Sequence, residues 1–275
     1  MSAPSSLVNR VFYEDCIPGL SREEFKGQIS LIFADPPYNV SGKSLTNVFE
    51  HGSWEKINAA WDQKTPEEYE KFTLNWLSAA KGALQEGGTL VVSTSYHNAF
   101  VIGYLAQKLD FNLRGDVIWY KRTAVPNVTR RTYRHSSEIL LWLTKGVGAK
   151  YVFNYEVAKL FNSGKQLRNV WDILKVGQKE SVAHPAQKPE ELLLRIIAIH
   201  SNPADIVCDP FAGSGTTLKV AKLLGRIYVG FEVNQHEFQD MITTRLQEPR
   251  FSVDRVQAFF ESHATELLST RRGGI

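Results

Sequence analysis

An acid, two prolines and a tyrosine stand in a row at Asp35-Pro36-Pro37-Tyr38. Consecutive prolines fix φ twice and remove two N–H donors, so the corner is stiff and its carbonyls stay free to accept hydrogen bonds. The set therefore offers hydrogen-bond acceptors beside an aromatic face, although a rigid strand-to-loop turn uses the same residue types. A second segment lies far along the chain, at Asp209-Pro210-Phe211-Ala212-Gly213-Ser214-Gly215-Thr216-Thr217. Gly213 and Gly215 permit a tight turn and let a ligand come close to the backbone. The helix expected to start there favours a negative group at its N-terminus, such as a carboxylate. The pattern lacks the third glycine of a dinucleotide fingerprint and the Gly-Lys-Ser/Thr of a phosphate loop. Roughly 20 residues further on, Glu232 ends an apolar run, where an acid is placed to bind ribose hydroxyls or simply to face solvent.

These residues need a scaffold. Short apolar runs predict buried, parallel strands over Val8–Tyr13, Ile29–Ala34, Thr89–Thr94, Gly115–Trp119, Ile139–Leu143, Asp205–Cys208 and Ile227–Phe231. Helical spacing predicts helices from Pro66 to about Leu84, stopped by Gly87-Gly88, and over His97–Leu109, Glu190–His200 and Thr216–Leu224. Strands alternating with helices describe an α/β doubly wound sheet, in which ligands sit beyond the carboxyl ends of the strands. Both motifs follow such strand ends. The segment from about Lys145 to Ala183 breaks the rhythm and reads as an insertion within a single domain spanning residues 1–275.

Net charge is +3. Residues 121–175 hold 11 basic side chains against three acids, while the rest of the chain holds 21 against 26. One basic segment on a neutral-to-acidic body suits a polyanionic partner, or else a solvated basic loop. No apolar run is long enough to span a bilayer, and no secretory leader is visible at Met1–Ser6. Cys16 and Cys208, the only cysteines, give neither a disulfide framework nor a metal spacing, which points to a reduced cytoplasmic setting. Cys208 reads as a core strand residue. His135 has no metal-ligand cluster around it.

The two motifs together resemble the DNA amino-methyltransferases, which modify N6 of adenine or N4 of cytosine. Asp35 to Tyr38 is similar to the catalytic tetrapeptide of that family, and Phe211 to Gly215 to its cofactor loop. His184-Pro185-Ala186-Gln187-Lys188-Pro189 resembles a further family motif, and Pro126-Asn127 with Arg134-His135-Ser136-Ser137-Glu138 resembles its middle region. The likeness runs from about Val8 to Leu246. Because the tetrapeptide precedes the glycine loop, the order is similar to that of the circularly permuted β group. There the target-recognition segment lies between the two halves, the place that residues 145–183 take here.

The resemblance implies a seven-stranded, mostly parallel Rossmann-like methyltransferase sheet with an antiparallel edge hairpin. Ile139–Leu143 would belong to that hairpin. It implies S-adenosyl-L-methionine as cofactor, held by Asp209, Phe211, Ala212, Gly213, Ser214, Gly215 and Thr216. Glu232 would take the ribose, Lys188 and Gln187 the methionine carboxylate, and Asp15 and Cys16 would border the adenine or serve structure alone. Asp35, Pro36, Pro37 and Tyr38 become the catalytic set: Asp35 and the Pro36 carbonyl accept the two amine hydrogens, and Tyr38 stacks on a flipped base. No covalent intermediate is needed, so neither cysteine is a nucleophile candidate. Lys121, Arg122, Arg130, Arg131 and Arg134 become the candidates for contacts to phosphates of double-stranded DNA. The expected location is a bacterial or archaeal cytoplasm, on the nucleoid, with a homodimer as a candidate assembly and no metal. An acid at the first tetrapeptide position favours adenine N6, because many cytosine enzymes of the family carry serine there. Cytosine N4 is the alternative, and an RNA, protein or small-molecule methyltransferase or an inactive DNA-binding subunit are the more distant ones.

Overall fold

The run that leads into Asp35 forms β2 (Ile29–Ala34), every residue of which is buried. A strand buried on both faces belongs in the middle of a parallel sheet. Here β2 pairs in parallel with β3 (Leu84–Thr94) on one side and β7 (Ile206–Asp209) on the other. This is a computed structural model, and it describes residues 5–39, 64–124, 126, 130–131, 133–182 and 187–269. Asn127 and the His184-Pro185-Ala186 part of the proline motif lie outside those residues.

Among the described residues the sheet has eight strands, in the order β1-β8-β7-β2-β3-β5-β4-β6. The remaining strands are β1 (Arg10–Phe12), β4 (Phe111–Tyr120), β5 (Ser137–Lys145), β6 (Val170–Asp172) and β8 (Ile227–Phe231). The seven predicted strands are all present, and β6 is the addition. A three-residue strand is too short to show a period, and it sits in the basic stretch where none was visible. It pairs in parallel with β4, so the hairpin of β4 and β5 is one strand in from the edge. The run Ile139–Leu143 lies in β5, which is antiparallel to both β3 and β4. The expectation that it runs parallel fails for that reason, while the hairpin implied by the family resemblance is present.

Helix α2 (Pro66–Ala83) starts where the sequence places it. Thr65 and Glu68 form a reciprocal capping box with Pro66 in the first turn, satisfying donors that a helix start otherwise leaves open. Its end differs: β3 begins at Leu84, and Gly87-Gly88 lie inside that strand. Gly87 adopts φ +75, and a Cβ there would strike the Lys150 carbonyl at 1.9 Å. The glycine pair thus serves a close backbone approach, not a helix stop. The other predicted helices are α3 (Ala99–Lys108), α5 (Glu190–His200) and α6 (Thr216–Leu223), with shorter α1 (Cys16–Leu20) and α4 (Tyr155–Leu160). At the C-terminal side follow α7 (Gln235–Gln247), α8 (Asp254–Ser262) and α9 (Ala264–Leu268).

Alternation along β2 divides the core. Ile32 and Ala34 pack with Trp76, Leu77, Leu90 and Ile102 on the α2–α3 face. Leu31 and Phe33 pack with Leu193, Ile197, Val207 and Val220 on the α5–α6 face. The basic stretch folds back onto this body. Asn154 just ahead of α4 donates to the carbonyls of Ala198 and Ser201 at 2.9 and 3.0 Å, and Phe153 stacks on Trp142. Among the described residues no helix is long and apolar enough to cross a membrane, and no group of three or more His, Cys, Asp or Glu is placed to hold a metal ion.

Candidate active site

The strands β2 and β7 are neighbours, so the segments leaving their carboxyl ends emerge side by side. The Asp35 corner follows β2 and the glycine bend follows β7. Asp35, Lys188, Asp209, Phe211, Gly213 and Ser214 line one cleft. A second groove, lined by residues such as Ile17 of α1, Arg22 just after it and Asn75 of α2, shares no residue with it.

Three contacts pin the corner. Asn98 donates to the Tyr38 carbonyl at 2.5 Å. The Asn39 side chain accepts from Lys64 N and donates to Lys64 O, at 2.7 and 3.0 Å. The Tyr38 hydroxyl lies 2.9 Å from Asp35 Oδ1, 3.0 Å from Ser93 Oγ and 3.2 Å from Glu138 Oε2. The second oxygen of Asp35 accepts from Lys188 Nζ at 2.5 Å. Glu138, on β5, stands 3.6 Å from the same ammonium and also pairs with Lys121. Burial pushes the Asp35 carboxyl above its ordinary value, with Glu138 adding to that and Lys188 opposing it. Burial acts on Glu138 in the same sense, yet Lys188 and Lys121 together pull it down to about 2. Burial and the two carboxylates hold the Tyr38 phenol well above its usual range. This is a desolvated cluster in which each charge has a partner, as buried charges require.

The glycine bend is built by local bonds. Gly213 and Gly215 both have positive φ, +46 and +75, which a side chain would strain. Asp209 accepts from Phe211 N at 2.9 Å. Glu232, at the end of β8, accepts from Gly213 N at 2.9 Å and Asn234 N at 2.8 Å. The Ser214 and Thr216 hydroxyls lie 2.9 Å apart, and buried Arg245 of α7 donates to Thr216. Phe211 packs edge-on to Trp76 at 5.7 Å between ring centres. Burial drives the Asp209 carboxyl up to about 7, against the pull of Thr217 and the Phe211 amide. Burial also raises Glu232, opposed by the Asn234 and Gly213 amides.

Other predicted site residues fall differently. Lys188, expected beside a methionine carboxylate, lines the cleft and is bonded to Asp35. Gln187 lines the cleft and bonds Glu180 O and Val182 N at 2.8 and 3.0 Å. Asp15 caps α1 through Ile17 N at 2.8 Å. Cys16 is buried beside it, its thiol pushed far up chiefly by burial, with smaller upward contributions from Asp15, Asp209 and Glu232. Of the five DNA-contact candidates, Lys121 is held by Glu138, and Arg122 forks onto Asp172 at 2.9 and 2.7 Å. Arg130, Arg131 and Arg134 are exposed. Residues the sequence reading gave no role include Ser93, Asn98, Glu138 and Arg245. Only Glu138 carried a signal, as the last residue of a segment similar to the family's middle region.

A family model described as DNA methylase, N6_N4_Mtase, matches residues 29–243. The Type II methyltransferase M.HinfI of Haemophilus influenzae is 39% identical over 255 residues, covering 89% of this chain and 70% of that protein. The Type II methyltransferase M2.DpnII of Streptococcus pneumoniae is 36% identical over 228 residues, 80% of this chain and 82% of its own length. The crystal structure of an M1.HpyAVI–SAM complex matches with a TM-score of 0.64 at 26% identity, over 86% of this chain and 99% of that one. PvuII DNA methyltransferase, cytosine-N4-specific, shares the fold with a TM-score of 0.67 at 21% identity, over 94% of this chain and 93% of its own.

Proposed function

The chain belongs to the N6/N4 family of DNA methylases, and from that premise we propose that it moves a methyl group from S-adenosylmethionine to N6 of an adenine flipped out of duplex DNA. The observation that carries this reading is the single cleft shared by Asp35 and the glycine bend. The residues present fit the cofactor. A buried carboxylate at Asp209 suits a cationic amino group, the bend at Gly213 exposes backbone, and Glu232 has lone pairs left for ribose hydroxyls after accepting two amides. Bound there, the cofactor supplies an electrophilic methyl group on a cationic sulfur.

An exocyclic amine is a poor nucleophile because its lone pair is delocalised into the ring. Asp35 accepts one of its hydrogens and the Pro36 carbonyl accepts the other. The nitrogen becomes pyramidal, its lone pair is localised, and the Asp35 carboxylate faces the positive charge that develops on it. The alkylated nitrogen then sheds a proton. This corner cannot reach an amine inside a stacked duplex, so the base leaves the helix, and the half-buried Tyr38 ring is the surface that receives it. The acid at position 35 supports adenine over cytosine.

Residues 145–183 are proposed as the segment that reads the DNA sequence within a single methyltransferase domain, with Lys165 and Arg168 exposed on it. Arg130, Arg131 and Arg134 are the phosphate contacts that this conformation leaves most accessible. Mass spectrometry of nucleosides from DNA methylated by the chain tests the reading. N6-methyladenine supports it, N4-methylcytosine replaces the target base, and unmodified DNA refutes it.

A further inference from the structure

Four ionised side chains meet beside the Asp35 corner. Lys188 Nζ lies 2.5 Å from Asp35 and 3.6 Å from Glu138, and Lys121 pairs with the other Glu138 oxygen. The side chains of Asp35, Glu138, Lys121 and Lys188 are only 17%, 16%, 18% and 7% exposed, so water screens them poorly. Two acids and two bases sum to zero. Tyr38 has one hydroxyl proton and finds Asp35, Ser93 and Glu138 within reach. Glu138 thus offers a second acceptor both to that proton and to Lys188, the two groups that otherwise cover the Asp35 oxygens.

We infer that Glu138 is a positioning residue for methyl transfer, whose negative charge, acting through Lys188 and Tyr38, keeps this corner neutral so that positive charge can build on the amine. The inference rests on the methyl-transfer reading. That reaction carries positive charge from a sulfur to a nitrogen, and it is the nitrogen that is held against Asp35. Without Glu138 the remaining three charges sum to +1, and Lys188 has Asp35 as its remaining carboxylate partner in the cluster. Both effects oppose charge development, and neither touches the ground-state contacts at Asp209, Gly213 or Glu232. The loss therefore belongs in kcat, not in cofactor affinity.

Glu138→Gln keeps the side-chain volume and an acceptor oxygen but removes the charge. Acting through neighbours, it should cost less than the loss of a direct donor, about 10- to 100-fold in kcat at saturating DNA. Cofactor affinity by calorimetry should stay within about twofold. Lys121→Met added to Glu138→Gln returns the cluster to neutrality and should recover most of the lost kcat, which a purely structural role does not allow. The inference is overturned by a Glu138→Gln chain as fast as its parent, by one whose cofactor affinity falls with kcat, or by a double variant as slow as the single. A parent chain that leaves DNA unmethylated refutes the methyl-transfer reading itself, whereas an active parent with an equally active variant refutes the role of Glu138 alone.

Discussion

Replacing Glu232 with alanine should weaken binding of S-adenosylmethionine by about 100-fold, and the geometry sets that figure. The carboxylate is 8% exposed and each oxygen already accepts one backbone amide, Gly213 N at 2.9 Å and Asn234 N at 2.8 Å. The Val233 amide also approaches the carboxylate, and the lone pairs that remain are left for the ribose. A hydrogen bond to a charged acceptor contributes about 1.5–3 kcal/mol, so a hydroxyl pair held by one carboxylate is worth roughly 3 kcal/mol, or two decades in Kd. The two amides are half-buried and regain water, so the fold itself loses only about 1 kcal/mol, a drop of roughly 2–4 °C in Tm. Glu232→Gln keeps one acceptor and should lie between, near tenfold by the same reckoning, on the order of 1.4 kcal/mol. Calorimetric titration reads the affinity. A cofactor analogue lacking the ribose hydroxyls should lose the same factor against the parent and nothing more against the alanine variant. Unchanged affinity in Glu232→Ala, or an analogue penalty equal in both proteins, would refute the assignment of this carboxylate to the ribose.

Asp209 gives a pH signature. Burial holds its carboxyl up at about 7, and the ionised form is the one that suits a cationic amino group. Cofactor affinity should therefore rise about tenfold between pH 6 and pH 8 and then level off. Asp209→Asn should flatten that step, and a flat profile in the parent contradicts the role. For stability the sign is opposite to that of an ion-paired acid. The native state keeps a proton that the unfolded chain gives up, so this group's contribution falls from about pH 4 to pH 7 and is constant above. For DNA, changing the exposed Arg130 and Arg131 to glutamine together should weaken binding to all sequences alike and flatten the salt dependence by about 1.8 in log–log slope. Anisotropy titrations across a salt series measure it, and a loss confined to one sequence would make these residues base readers instead.

What the sequence made legible follows from how far apart the deciding residues lie. Helix α5 was readable to both its ends, Glu190 and His200, because a local apolar period and flanking polar residues define it. Strands β2, β7 and β8 were readable as short apolar runs, and with them the two loops that carry the chemistry. The helix stop at Gly87-Gly88 was misread because a glycine pair marks a helix end and a close backbone approach equally well. The Lys150 carbonyl that needs the space comes from distant chain. The ion pairs of Lys121 and Arg122, two of the phosphate-contact candidates, were invisible for the same reason. Their partners, Glu138 on β5 and Asp172 on β6, reach them only once β4, β5 and β6 lie side by side. The bond from Lys188 to Asp35 was hidden in the same way, because the two are 153 residues apart in the chain. Charge pairing of this kind is a property of the sheet order, which no local pattern spells out.

The most direct test of the account is transfer of tritium from labelled S-adenosylmethionine to duplex DNA by the parent chain and by Asp35→Ala, with cofactor affinity measured alongside. The parent should label DNA and leave RNA and protein unlabelled. The variant should bind the cofactor within a few-fold of the parent while transfer falls by about 100-fold or more. Near-parental labelling of DNA by Asp35→Ala, or label appearing on another macromolecule, would contradict it.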